Sequence, residues 1–378
     1  MAEVESKPRG APQMQRGGWL DVLRFAAASL IILYHFHEAG PINLETVHPV
    51  FSRGFLLTNF FLIDSGYVLA RIYARRIGTR MTHGEFFRKR FLRVVPAHLV
   101  MISLLATMVL LAGAMGVTPS HPEWFDWKQF PAQFFLVQSF GVPGGLGWNA
   151  PAWSISALLG CYFAFPFMVK MFWRVSPWTA LALGVGLYLA ANALTHQFLN
   201  LPVYWMPMKY GVIRGLALFM LGVLLARFSD GVHIPKPIAV ILGLGSLAAL
   251  VAFEHFGPNG LAALTLMGVM IVAAGAIPVT RPSRFIELGA LASFSIFITN
   301  EVVRIGYFGI AEQVTRRLGL GVGMQWALWV GGILSAFIFA FWFYKVFDAP
   351  TQAWFNRAKK PRTNLDLGGL KNPDPQAN

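Results

Sequence analysis

Two residues in the first apolar run of this chain are of types that could do chemistry. In LDVLRFAAASLIILYHFHEAG, residues 20–40, Arg24 stands near one end and His35 near the other. A guanidinium stays protonated and holds phosphate or carboxylate through a planar fork of donors. An imidazole near its ordinary pKa can take the proton of a hydroxyl. Eleven residues is about three turns of helix, so the two side chains project on nearly the same side, about 16 Å apart along the axis. They could line one shaft, with Arg24 at a mouth and His35 deeper in. The same spacing also fits an Arg24 that snorkels to the interface beside Asp21 and a His35 that marks the opposite interface. Either reading needs a reason, since an Arg at the centre of a membrane helix costs about 2.5–3.5 kcal/mol on insertion scales.

The elements that position these residues follow from composition. The chain has 378 residues, 56% hydrophobic and 13% charged, with a mean hydropathy of +0.54. Soluble domains carry about 25% charged residues. Apolar runs long enough to cross a bilayer recur along the length, at 18–37, 54–72, 94–116, 150–172, 177–195, 211–227, 236–254, 260–278, 287–306 and 324–345. Such continuous runs suit helices and not barrel strands, which alternate. The fold class is therefore all-α, a polytopic membrane protein of about ten transmembrane helices. Three regions are expected: an N-terminal segment 1–17, a membrane domain 18–345, and a polar, Pro- and Gly-containing tail 346–378 that reads as disordered. No cleavage site precedes the first span, which is expected to remain as an anchor.

The net charge of +14 does not indicate nucleic acid, because the cations are placed as a topology signal. With the N-terminus inside, 23 of the 31 Lys and Arg fall on the cytoplasmic side, so both termini are expected there. Residues 117–147 then form the longest exoplasmic connection, and its aromatic HPEWFDWKQFPAQFF stretch reads as an interfacial helix. Cys161 is the only cysteine, which leaves neither a disulfide framework nor a thiolate metal site; no metal is expected.

LDVLRFAAASLIILYHF, with ten residues between its Arg and its His, resembles the opening signature of the acyltransferase-3 family of multi-pass membrane O-acyltransferases. Further stretches resemble that family in order. NFFLIDSGYVLA (59–70) supplies Phe61, Ser65 and Gly66, and FFRKRFLRVVP (86–96) a basic stretch ending in proline. NAPAWSISALLGCYFAFP (149–166) supplies Trp153, Ser154 and Ser156, and RGLALFMLGVLLAR (214–227) and LGALASFSIFIT (288–299) resemble the later helices. The resemblance spans most of residues 19–345.

It implies transfer of an acyl group, usually acetyl, from a cytoplasmic acyl-coenzyme A to a hydroxyl of an envelope glycan or lipid-linked acceptor, at the plasma (inner) membrane. Arg24 and His35 are then the catalytic pair, one facing a polyanionic donor and the other a poorly nucleophilic hydroxyl. Arg88, Arg90 and Arg93 are candidates for the donor's phosphates, although positive-inside residues need no substrate. Ser65 could face the acyl path or only allow close helix packing. Trp153, Ser154 and Ser156 could contact the acceptor, or serve as an interfacial Trp and helix-capping hydroxyls. Membrane lipids and other membrane subunits are the further partners expected.

The sequence departs from the family pattern at Asn59, Leu158, Leu218 and Asn300, where an acid, a Glu, an acid and a His are usual. Asp64 and Glu301 stand nearby but out of register. These departures keep an alternative open: a catalytically degenerate member serving as a structural or accessory subunit of a larger membrane complex.

Overall fold

The computed structural model describes residues 16–119, 121–143, 147–256 and 260–357. Among them there are helices and no strand. The helices are α1 (Trp19–Phe36), α2 (Phe55–Tyr73), α3 (His83–Ala114), α4 (Phe130–Phe134), α5 (Ala152–Phe172) and α6 (Pro177–Leu199). They continue with α7 (Gly211–Gly231), α8 (Lys236–Phe256), α9 (Gly260–Ala276), α10 (Arg284–Leu318), α11 (Val322–Phe343) and α12 (Ala349–Arg357). Among the described residues, nine helical segments are long and apolar enough to cross a bilayer. With α9, whose 17 residues extend about 26 Å, they match the ten runs read from the sequence.

Local chemistry sets many of the ends. Thr82 and Glu85 close a capping box at the start of α3, which satisfies two otherwise orphan donors. Ser176 caps α6 while Pro177 occupies its first turn, and Asn200 ends it in the left-handed region. Ser283 caps α10, and Gly319 ends it at φ 61°. At α1 the Gly17 N–H donates to the Asp21 carboxylate at 2.6 Å, placing an acid against the positive helix end.

Three boundaries differ from the sequence reading. The basic stretch before residue 94 is helical, because the capping box starts α3 at His83. α10 continues well past 306 to Leu318, its last turn carrying Arg316 and Arg317, cations that suit a helix C-terminus. The part of the tail from 346 to 357 is helical as well: α11 runs through a π-turn, Tyr344–Asp348, into α12. The remainder of the tail, and residues 1–15, lie outside the described residues.

The bundle is tightest where α2 meets α7. A Cβ on Gly66 would lie 2.1 Å from the Phe219 carbonyl oxygen, and one on Gly222 would lie 2.0 Å from that of Ile63. The two backbones touch, as small residues permit in membrane bundles. α1 packs against α10 and α2, and with α11 these helices enclose Ala28, Ile32, Phe36, Ala292, Ile296 and Ala336. α8 packs on α9 and turns Ile241, Leu244 and Val251 outward, the surface expected where lipid is the solvent.

Residues 117–147, where described, do not form one interfacial helix. Their described part holds a 3-10 turn (Pro122–Phe125) and the five-residue α4, and it folds inward. His98, near the midpoint of α3, donates to the Gln133 carbonyl at 2.9 Å. Ser139 bonds the Trp153 carbonyl, and Ser156 bonds the Leu136 carbonyl, at 2.7 and 2.6 Å. Irregular backbone is tolerated at this depth where protein partners satisfy its polar groups.

Candidate active site

The fold gives α1 two different neighbours for its two ionisable groups. Arg24 Nε faces Asp64 Oδ2 of α2 at 3.2 Å. Asp64 is fully buried, and neither of its carboxylate oxygens has a hydrogen-bond partner among the described residues. The contact is thus an ion pair without an aligned hydrogen bond. Arg24 keeps 30% of its side-chain surface accessible.

At the other end of α1, His35 Nδ1 lies 3.8 Å from Glu301 Oε2 of α10. That carboxylate is nearly fully buried and is held on its far side by the Arg304 fork, at 3.0 and 2.5 Å. Arg304 in turn lies over the Trp124 ring at 4.6 Å, so the inward-folded loop braces the group that faces the histidine. Asp64 and Glu301, the two acids that stand out of register with the family's usual positions, are therefore the partners of Arg24 and His35.

Two cavities flank this line. One, about 630 Å³, lies at the N-terminal end of α1, where Arg16, Asp21 and Arg24 meet Arg71 of α2, His233 after α7, and the last residues of α9. The second, about 560 Å³, lies at the opposite end of α1. It is enclosed by Tyr34, the N-termini of α2, α5 and α7, and the inward-folded loop. The two cavities collect helix ends that an alternating ten-span path puts on opposite faces. His35 lines neither of them, so Arg24 and His35 share a helix face but not one of these cavities.

The other sequence-derived candidates separate into distinct roles. Arg93 pairs with Asp348 at 2.6 Å and lies over Phe294. The π-turn carries this aspartate inward, where it also accepts from Ser295. Arg90 donates to the Tyr73 hydroxyl at 2.7 Å, and Arg88 is exposed. None of Arg88, Arg90 and Arg93 lines the cavity that holds Arg24. Ser65 is half-buried beside Gly66. Ser154 bonds the Pro151 carbonyl within its own helix, and Ser156 is committed to the loop. Trp153 lines the second cavity, with Arg214 over its ring at 4.7 Å.

At the departures from the family pattern, Asn59 accepts from Arg214 Nε at 2.8 Å. Leu218 is in the core and Leu158 packs against it. Asn300 is buried on α10 and donates to helix carbonyls. Sequence reasoning left Arg16 and Arg71 among the topology charges, and it gave His233, Asp348 and Arg214 no site. The legible signal was the cost of a carboxylate or guanidinium inside an apolar run.

A family model described as an acyltransferase domain matches residues 18–345. The chain belongs to this acyltransferase family. Among named relatives, it is 28% identical over 167 residues to "Acyltransferase MdmB" of Streptomyces mycarofaciens, covering 42% of this chain and 41% of that one. It is 23% identical over 321 residues to "Nodulation protein 10" of Rhizobium leguminosarum bv. viciae, covering 76% of this chain and 84% of that one. The chain thus spans less than half the length of the first relative and most of the second. No solved structure matches it.

Proposed function

We propose that this membrane acyltransferase moves an acyl group, acetyl in the simplest case, from cytoplasmic acyl-coenzyme A to a hydroxyl of an exoplasmic glycan or lipid-linked acceptor in the plasma (inner) membrane. The observation that carries the reading is the cavity of about 630 Å³ in which Arg24, Arg16 and Arg71 converge. Its volume falls in the range of small-molecule sites, about 300–1,000 Å³. Among the described lining residues cations outnumber the single acid, Asp21, as a polyanionic thioester donor requires. The positive-inside count supports assigning this end of α1 to the cytoplasm.

In this reading Arg24 holds donor phosphate, and Asp64 fixes the guanidinium from behind. His35 takes the proton of the acceptor hydroxyl, and the freed oxygen attacks the thioester carbonyl carbon. The C–S bond then breaks, and the proton returns from His35 to the departing thiolate. Glu301 orients the imidazole and stabilises its protonated form, as a carboxylate does behind other catalytic histidines. The 3.8 Å separation is longer than a hydrogen bond, and such contacts commonly tighten only when substrates are bound.

The placement of a buried carboxylate beside both Arg24 and His35 supports an enzyme over a degenerate subunit, because ionisable groups are costly inside a membrane and commonly functional there. The test is binding of acetyl-coenzyme A to the purified full chain, followed by transfer of radiolabel to envelope fractions. Arg24→Ala is expected to weaken donor binding, and Arg24→Lys to restore it in part, since a point charge lacks the guanidinium fork. Unchanged affinity in Arg24→Ala would place the donor elsewhere.

A further inference from the structure

We infer that the second cavity, whose lining Tyr34 has its ring 5.3 Å from that of His35, holds the body of the acceptor and is built for an anionic saccharide; this rests on the acyl-transfer reading above. Three features of its walls point to that chemistry. Aromatic faces come first: Trp153, Trp205, Tyr34 and Phe55 line it, and Phe55 packs edge-on against Trp205 with centroids 4.2 Å apart. Such flat, amphipathic surfaces suit the apolar faces of sugar rings.

The second feature is an unmet amide. Gln138 lines the cavity, and both its side-chain nitrogen and oxygen are buried with no hydrogen-bond partner among the described residues. Buried polar groups are nearly always paired. A side-chain amide, which offers both donors and an acceptor, matches a hydroxyl that can do both.

The third feature is charge. Arg214, 4% exposed, gives Nε to Asn59 and Nη2 to the Phe55 carbonyl, and it stacks on Trp153. It forms no ion pair with a described carboxylate. Lys209, on the rim, adds a second cation, and the described lining residues include no Asp or Glu. A buried guanidinium without a counter-ion is costly in the free protein, and a ligand anion would complete it. Its partner Asn59 is a neutral amide. A carboxylate at that position would neutralise Arg214 internally; the neutral amide leaves its charge for the ligand.

The experiment uses the full chain in membranes with radiolabelled acetyl-coenzyme A as probe and an envelope fraction as acceptor. The expected product is retained on an anion-exchange column and releases monosaccharides on acid hydrolysis. Carboxyl reduction or phosphatase treatment of the fraction beforehand tells whether its charge is a carboxylate or a phosphate. Arg214→Gln is expected to raise the acceptor KM about tenfold or more, the effect of losing a charge-assisted hydrogen bond. Lys209→Gln, at an exposed position, should raise it about threefold. The donor KM should stay as in the wild type in both. Gln138→Ala should raise the acceptor KM without altering the product's charge.

Label recovered in a neutral product would overturn the inference and leave acyl transfer standing. So would an anionic product whose acceptor KM is indifferent to Lys209→Gln and Gln138→Ala. Absence of any labelled product, with donor bound, would overturn the acyl-transfer reading and this inference with it.

Discussion

His35 and Glu301 face one another across the contact of α1 with α10, and the chemistry proposed for them separates cleanly by mutation. If the imidazole is the general base, His35→Ala is expected to lower turnover by about 10²–10⁴-fold, the range for a positioned acid–base group. Coenzyme A binding should survive, because Arg24 lies about three turns away. His35→Gln should fare no better, since an amide takes no proton at neutral pH. An active enzyme indifferent to His35→Ala would move the base to another residue. Glu301→Gln keeps the shape of the side chain and removes its charge. It is expected to lower turnover by about 10–100-fold, as loss of a supporting group behind a ligating histidine does. Unchanged turnover in Glu301→Gln would make Glu301 a support for Arg304 alone.

At the scale of elements, the site depends on how closely α2 approaches α7. α2 carries Asp64 to Arg24, while α7 carries Arg214 to the second cavity. Their backbones meet at Gly66 and Gly222, where an added Cβ would lie about 2 Å from a carbonyl oxygen. Gly66→Leu is therefore expected to destabilise the protein by more than the ~1–3 kcal/mol of ordinary overpacking, since backbone cannot rotate aside. A fall in the thermal midpoint of the detergent-solubilised protein checks this. Gly113→Ala, on α3 where a Cβ would meet nothing within 4 Å, is the matched control and should leave that midpoint nearly unchanged. The π-turn is the second element-level device. It turns Asp348 inward to Arg93 and Ser295, which ties the end of the last long helix to α3 and α10. π-turns often mark such sites because the extra residue redirects one side chain.

For the whole molecule, the two cavities at opposite ends of α1 make orientation a functional question. The proposed direction of transfer needs Arg24 inside and the loop of residues 117–147 outside. Arg80→Cys and Lys128→Cys place single thiols on the two faces, both at exposed positions. The native Cys161 is buried and should not react. An impermeant maleimide applied to intact cells is expected to label Lys128→Cys and to reach Arg80→Cys only after lysis. Labelling of both from one side would overturn the alternating path and the cavity assignments with it.

What the sequence by itself determined was the material and the period: apolar runs of bilayer length, cations biased to one side, and Arg24 and His35 about three turns apart on one helix. Those features are local, and hydropathy and helical rise read them directly. Asp64 and Glu301 were visible as acids in apolar surroundings, yet their partners were not. An ion pair between helices depends on which faces the bundle turns together. Tertiary structure alone decided that Arg93 is spent on Asp348 while Arg16 and Arg71 join Arg24, because residues equally basic in sequence lie on different sides of the packed helices. It likewise decided that the aromatic loop folds inward to wall a cavity: its hydrogen bonds to His98, Trp153 and Ser156 run between residues 14 to 35 apart in the chain, beyond the reach of any local periodicity.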